Sequence, residues 1–166
     1  MNDIMELLMA ERVDIVEADG RLRISLYNSA SHPFPLPEGA SGMAFFDCDE
    51  QEYGGLVLQS SGAFSGVYES NLSMTFGKRD KQAVEYFIRE ENGKRKYGYS
   101  VYDTINAEGV QEASCERLFV GKDTDGSMVV RLKDSKGNER ISLLLDSDGE
   151  VRIAVLDEQG KVIATL

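Results

Sequence analysis

The residues with the most chemical potential are one histidine, two cysteines and 29 carboxylates. A zinc site needs three or four nitrogen, sulfur or oxygen ligands in close order, commonly including His, whereas His32, Cys48 and Cys115 lie far apart in the sequence. A Ser-His-Asp relay would have to recruit His32, which precedes a proline in a stiff segment. No Gly-x-Ser-x-Gly nucleophile elbow exists, and Gly62-Ala-Phe-Ser-Gly66 has the wrong spacing for one. No Walker loop and no Gly-x-Gly-x-x-Gly at a strand-to-helix junction is present for binding phosphates. No catalytic residue, cofactor or metal ligand is therefore assigned.

Two acidic pairs, Asp123-Thr-Asp125 and Asp146-Ser-Asp148, alternate hard oxygen ligands as calcium loops do. In each, however, glycine follows at the fourth position, not the sixth, and no helices flank it. Paired carboxylates also suit acid/base hydrolysis, but no pair holds a privileged place in the sequence. Lys94-Arg-Lys-Tyr-Gly-Tyr99 interleaves cations with aromatic rings, as single-strand nucleic-acid platforms do. Strand alternation puts Lys94, Lys96, Gly98 and Ser100 on one face and Arg95, Tyr97, Tyr99 and Val101 on the other, the pattern of a half-buried strand.

The acidic residues have a second use, which is to place turns. Asp123-Thr-Asp-Gly126, Asp134-Ser-Lys-Gly137, Asp146-Ser-Asp-Gly149 and Asp157-Glu-Gln-Gly160 repeat one turn at intervals of 11 or 12 residues. Aspartate suits the first position of a type I turn because its carboxylate accepts a nearby backbone N–H, and glycine enters the left-handed region that follows without steric cost. The seven or eight residues between turns are antiparallel strands. A variant, Glu17-Ala-Asp-Gly20, closes a first hairpin, and Glu90-Glu-Asn-Gly93 another. Gly54-Gly55 suggests a bulge.

The fold expected is all-β: an antiparallel hairpin meander of about ten to twelve short strands, closed into a barrel or folded as two sheets. It forms a single domain over residues 1–166. Residues 1–12 are read as a short helix, with Ile4, Leu7 and Leu8 on one face and Asp3 with Glu6 as a capping box. Hairpins occupy residues 13–102, interrupted by a proline-rich connector at 31–37 and a polar loop near 60–71. A loop spans 103–114, and the turn-and-strand array fills 115–166.

Within that array, one face carries Met128, Val130 and Leu132, then Ile141, Leu143 and Leu145, then Val151, Ile153 and Val155, then Val162, Ala164 and Leu166. It is read as the core face. The opposite face mixes Arg131, Arg140, Ser142 and Arg152 with Val129, Leu144, Leu156 and Ile163. Four such apolar side chains need cover, either from the N-terminal helix or from another subunit, so this set is the expected oligomer or partner face.

Eighteen basic against 29 acidic residues give a net charge of −11, which repels phosphate backbones and anionic membranes; nucleic acid and membrane are not expected partners. The first 13 residues have no basic segment and are interrupted by Asp3, Glu6 and Glu11, so no secretory signal is read, and the cysteine usage suits a reducing compartment. A cytoplasmic location is expected. The expected function is a non-enzymatic binding or structural module that self-associates. A barrel holding a small apolar ligand is the alternative, followed by a carboxylate-dependent hydrolase.

Read in order, Val13-Asp-Ile-Val-Glu-Ala-Asp-Gly-Arg-Leu-Arg-Ile-Ser-Leu26, Ala40-Ser-Gly-Met-Ala-Phe-Phe-Asp47, Tyr53-Gly-Gly-Leu-Val-Leu58, Leu72-Ser-Met-Thr-Phe76, Glu90-Glu-Asn-Gly-Lys-Arg95, Arg117-Leu-Phe-Val-Gly-Lys122 and the Asp134 array resemble a widespread group of small bacterial proteins with repeated Asp-x-x-Gly hairpins. The resemblance spans nearly the whole chain and departs at residues 103–114. It brings no catalytic residue and no cofactor to this sequence.

Overall fold

A computed structural model describes residues 8–32, 39–61, 69–78, 81–105 and 113–165. Twelve antiparallel strands follow one another in a single open sheet, each hydrogen-bonded to its sequence neighbours in the order β1 to β12. They are β1 (Arg12–Val16), β2 (Leu22–Asn28), β3 (Ser41–Phe46), β4 (Glu52–Ser61), β5 (Glu69–Lys78), β6 (Lys81–Glu91), β7 (Lys94–Ile105), β8 (Ala113–Lys122), β9 (Met128–Lys133), β10 (Glu139–Leu145), β11 (Val151–Leu156) and β12 (Val162–Thr165).

The Asp-x-x-Gly turns fix this topology through their own hydrogen bonds. At Asp134 the Gly137 amide donates to the Asp134 carbonyl at 3.0 Å, and the Asp134 amide donates to the Asn138 carbonyl at 2.9 Å. Oδ1 of Asp134 accepts the Lys136 and Asn138 amides at 2.9 and 3.0 Å. Asp146 and Asp157 repeat this arrangement with their own second and fourth following amides. The closing glycines have φ between 77° and 95°, a region that costs an L-residue about 1–2 kcal/mol. The β6–β7 hairpin instead turns on Asn92 and Gly93, both at positive φ, the signature of a type I′ turn. Gly54 sits opposite a register shift between Phe45 and Phe46, where a bulge was expected.

No helix occurs among the described residues. Leu8 to Ala10 have no regular structure and Arg12 opens β1, which corrects the expected helix over residues 8–12, while its residues 1–7, with Asp3, Ile4, Glu6 and Leu7, lie outside the described residues. The chain is instead drawn into the sheet: Arg12 hydrogen-bonds Asp14 and the Ser31 carbonyl, and the Ser31 hydroxyl donates to the Glu11 carbonyl. Of the loop expected at 103–114, residues 103–105 and 113–114 are strand, and 106–112 lie outside the described residues. Asp103 and Thr104 pair with Cys115 and Ser114, because ladder bonds and the Arg117–Asp103 ion pair hold these polar residues in strands. Residues 33–38 of the proline-rich connector and 62–68 of the polar loop lie outside the description.

Register decides the faces. Side chains directly opposite on paired strands share one side of a sheet, so pairings can be followed from strand to strand. One row runs Val13, Leu26, Met43, Leu56, Met74, Tyr86, Tyr99, Val120, Val130, Leu143 and Ile153. A second, two residues along, runs from Ile15 and Ile24 through Phe76, Val84 and Leu118 to Val155 and Ala164 without a charged or hydrogen-bonding side chain. Together these rows make one apolar face across the whole meander. The reverse face is mixed, with small, aromatic and ion-paired residues.

Candidate functional site

The mixed face seals itself. Phe87, Phe119 and Val129 form a buried cluster against which Leu144 packs, and Tyr27, Ala44 and Phe46 form another with Leu22. Glycines make room for the rings: a Cβ on Gly98 would meet the Phe119 ring at 2.8 Å, and one on Gly121 would meet it at 3.0 Å. Long cationic side chains then roof the Phe87–Phe119 cluster. The Arg89 guanidinium lies 4.3 Å from the Phe87 ring centre and the Lys96 ammonium 4.3 Å from that of Phe119, each covering apolar surface with its stem while its charge meets the ring face.

Among the described residues the apolar face has a sparser roof, the Lys122 ammonium standing 6.0 Å from the Tyr97 ring centre. Tyr86 is 52% exposed and Leu143 39%, and Met74, Leu132, Ile141, Val151 and Val162 are exposed with them. The two sides of the array are thus the reverse of the sequence reading. Val129 is 2% exposed and Leu144 half-buried, whereas Met128, Leu132, Ile141, Leu143 and Leu145, read as core, face outward. Leu156 is half-buried, and Ile163, at the edge strand, is 62% exposed. The physical reason is that Arg89 and Lys96 fold over the rings beside them on the mixed face, while the apolar face carries few cations, Arg95 and Lys122 among them, for its many apolar side chains. Sequence reading named neither Tyr86 and Tyr99 nor Met74 as surface residues, although the period-2 alternation at Val13, Ile15, Ile24 and Leu26 carries the same signal.

The turn aspartates are occupied structurally. Beyond the amides they accept, Oδ2 of Asp123 meets Arg131 at 2.5 Å, that of Asp134 meets Arg140 at 3.6 Å, and that of Asp146 meets Arg152 at 3.3 Å. Desolvation would raise the Asp123 and Asp134 carboxyls, but the backbone amides and arginines outweigh it and hold both below the ordinary carboxylate value. Among the described residues, no group of three or more His, Cys, Asp or Glu side chains is arranged to hold a metal ion. Cys48 is exposed and Cys115 half-buried, both as free thiols.

The densest chemistry lies on the mixed face of β6 to β9. Glu85, 3% exposed, meets Arg89 at 2.5 Å and accepts a 2.9 Å bond from the Tyr102 hydroxyl. Ser100, fully buried, donates to Glu116 at 3.0 Å, and Lys133 reaches the other oxygen of Glu116 at 2.9 Å. Burial and the neighbouring Glu85 charge push the Tyr102 phenol up to about 12. Burial also pushes Glu116 up, but Lys133 and Ser100 more than offset this and its net shift is downward. Every one of these polar groups is answered within the sheet, so the cluster pins neighbouring strands.

Of the Lys94–Tyr99 segment, Arg95, Tyr97 and Tyr99 fall on the apolar face and Lys96 on the mixed face, as alternation required. Among the described residues, no helix is long and apolar enough to cross a membrane. Comparison of the chain with protein-family models, with curated proteins and with solved structures gives no match in any of the three.

Proposed function

We propose that this protein is a non-enzymatic structural module that assembles by burying its apolar sheet face against a second copy of itself. The continuous apolar row from Val13 to Ile153 carries this reading, since a face of that extent left in water is a standing liability. Exposure supports it: Leu26, Leu56, Met74, Tyr86, Ile141, Leu143 and Val151 on this face are each 37–62% exposed, and only a second layer removes that surface from water. Two copies placed face to face form a two-sheet sandwich of ordinary ~10 Å spacing, so the second layer that the sequence seemed to require within one chain comes from another.

A lipid layer is the other medium that accepts an apolar face, and it fits less well. β9 to β12 are four to seven residues long, short of the ~9–11 that a membrane-spanning strand needs, although β4 to β8, at 10 to 12, reach it. The net charge of −11 also opposes anionic headgroups.

Light scattering on the purified chain tests the proposal. At micromolar concentration the wild type is expected at twice the chain mass, and Leu143→Glu at the single-chain mass with an unchanged far-ultraviolet spectrum. A monomeric wild type, or one that stays with lipid vesicles on flotation, rejects it.

A further inference from the structure

Resting on that self-association, we infer that the two-fold axis runs parallel to the strands between β6 and β7, so that Glu90 of each copy meets Arg95 of the other. The middle of a twelve-stranded meander falls between its sixth and seventh strands, which are also among its longest, with 11 and 12 residues. On the apolar face this midline carries two facing pairs. Tyr86 and Tyr99 face each other with ring centres 4.8 Å apart, and Glu90 faces Arg95 beside the tight turn.

Rotation about an axis along the strands lays β6 of one copy over β7 of the other. Tyr86 then stacks near Tyr99 of the second copy, placing aromatic residues at the interface centre, where binding energy concentrates. Glu90 comes over Arg95 of the second copy and Arg95 over its Glu90, an isologous ion quartet at the rim. The intrachain pair is built to accept this. Nε and Nη2 of Arg95 both donate to Oε2 of Glu90, at 3.0 and 2.6 Å, which leaves Oε1 to receive a donor from across the interface. An axis laid across the strands would instead place β6 over β6 and β7 over β7, separating Glu90 from the second copy's Arg95.

Mixing of charge-swapped chains tests the inference. Glu90→Arg and Arg95→Glu, each alone, set like charges across the axis, and each homodimer is expected to dissociate about tenfold or more readily than wild type. Mixed together, with one variant isotope-labelled, they are expected to form heterodimers above the statistical fraction in native mass spectrometry. Repulsion within one chain cannot be relieved by mixing, so that excess reports contact between chains. The doubly swapped chain, Glu90→Arg with Arg95→Glu, is expected to dimerise like wild type and shows that the positions tolerate both residues. Single variants that dimerise normally, or a mixture without heterodimer excess, overturn the axis while a dimeric wild type leaves face-to-face assembly standing; a monomeric wild type overturns both.

Discussion

The hydroxyl of Tyr102 on β7 donates a 2.9 Å hydrogen bond to Glu85 Oε2 on β6, diagonally across the mixed face, and Arg89 holds the other oxygen of the same carboxylate at 2.5 Å. A phenol so placed resists ionisation, because the phenolate would be desolvated and would stand beside a carboxylate. We expect one tyrosine of the seven to titrate only near pH 12 in an ultraviolet titration of the folded protein, and Tyr102→Phe to remove that step. The sign for stability follows from linkage. The folded phenol keeps its proton after the unfolded one, at ~10, has lost it, so its contribution is intact below pH 10 and is lost as pH rises through 12. Tyr102→Phe should therefore flatten the alkaline fall in urea midpoint, and an unchanged profile would count against the assignment.

Glu116 presents the opposite case. Its carboxyl is held below the ordinary value by Lys133 and Ser100 despite its burial, so its contribution is present above the unfolded value of ~4.3 and is lost as pH falls through the folded value. Lys133→Met leaves a half-buried carboxylate short of its partner, at a cost of about 1–3 kcal/mol near neutral pH. Urea unfolding at fixed protein concentration should show that deficit at pH 7 and little of it at pH 3. An equal deficit at both values would mean that packing of the lysine stem, not charge, is what was lost.

Phe119 is 1% exposed and spans the Gly98–Gly121 pair while contacting Phe87 and Val129. Truncation to alanine removes the ring that fills the space left by two glycines, and is expected to cost about 3–5 kcal/mol. Chemical denaturation measures it. A loss below 1 kcal/mol would show that the mixed face does not hold the sheet together.

The meander itself was legible in the sequence. Aspartate at the first position and glycine at the fourth act within five residues, through a carboxylate that accepts its own chain's amides and a backbone that tolerates positive φ. Such short-range chemistry needs no tertiary context, and the turns at Asp134, Asp146 and Asp157 form as read. The period-2 alternation was equally local and correctly separated Val129 and Leu144 from Val130 and Leu143.

Which of those two faces is buried depends on residues far away in the chain. Val129 is covered because Phe119 and Phe87, ten and 42 positions earlier, lie beside it in the register, and because Arg89 and Lys96 reach over those rings. Alternation says that two sides differ. Only the assembled sheet shows which side carries cations long enough to cover its own apolar groups, and which is left with Tyr86, Leu143 and their neighbours facing outward.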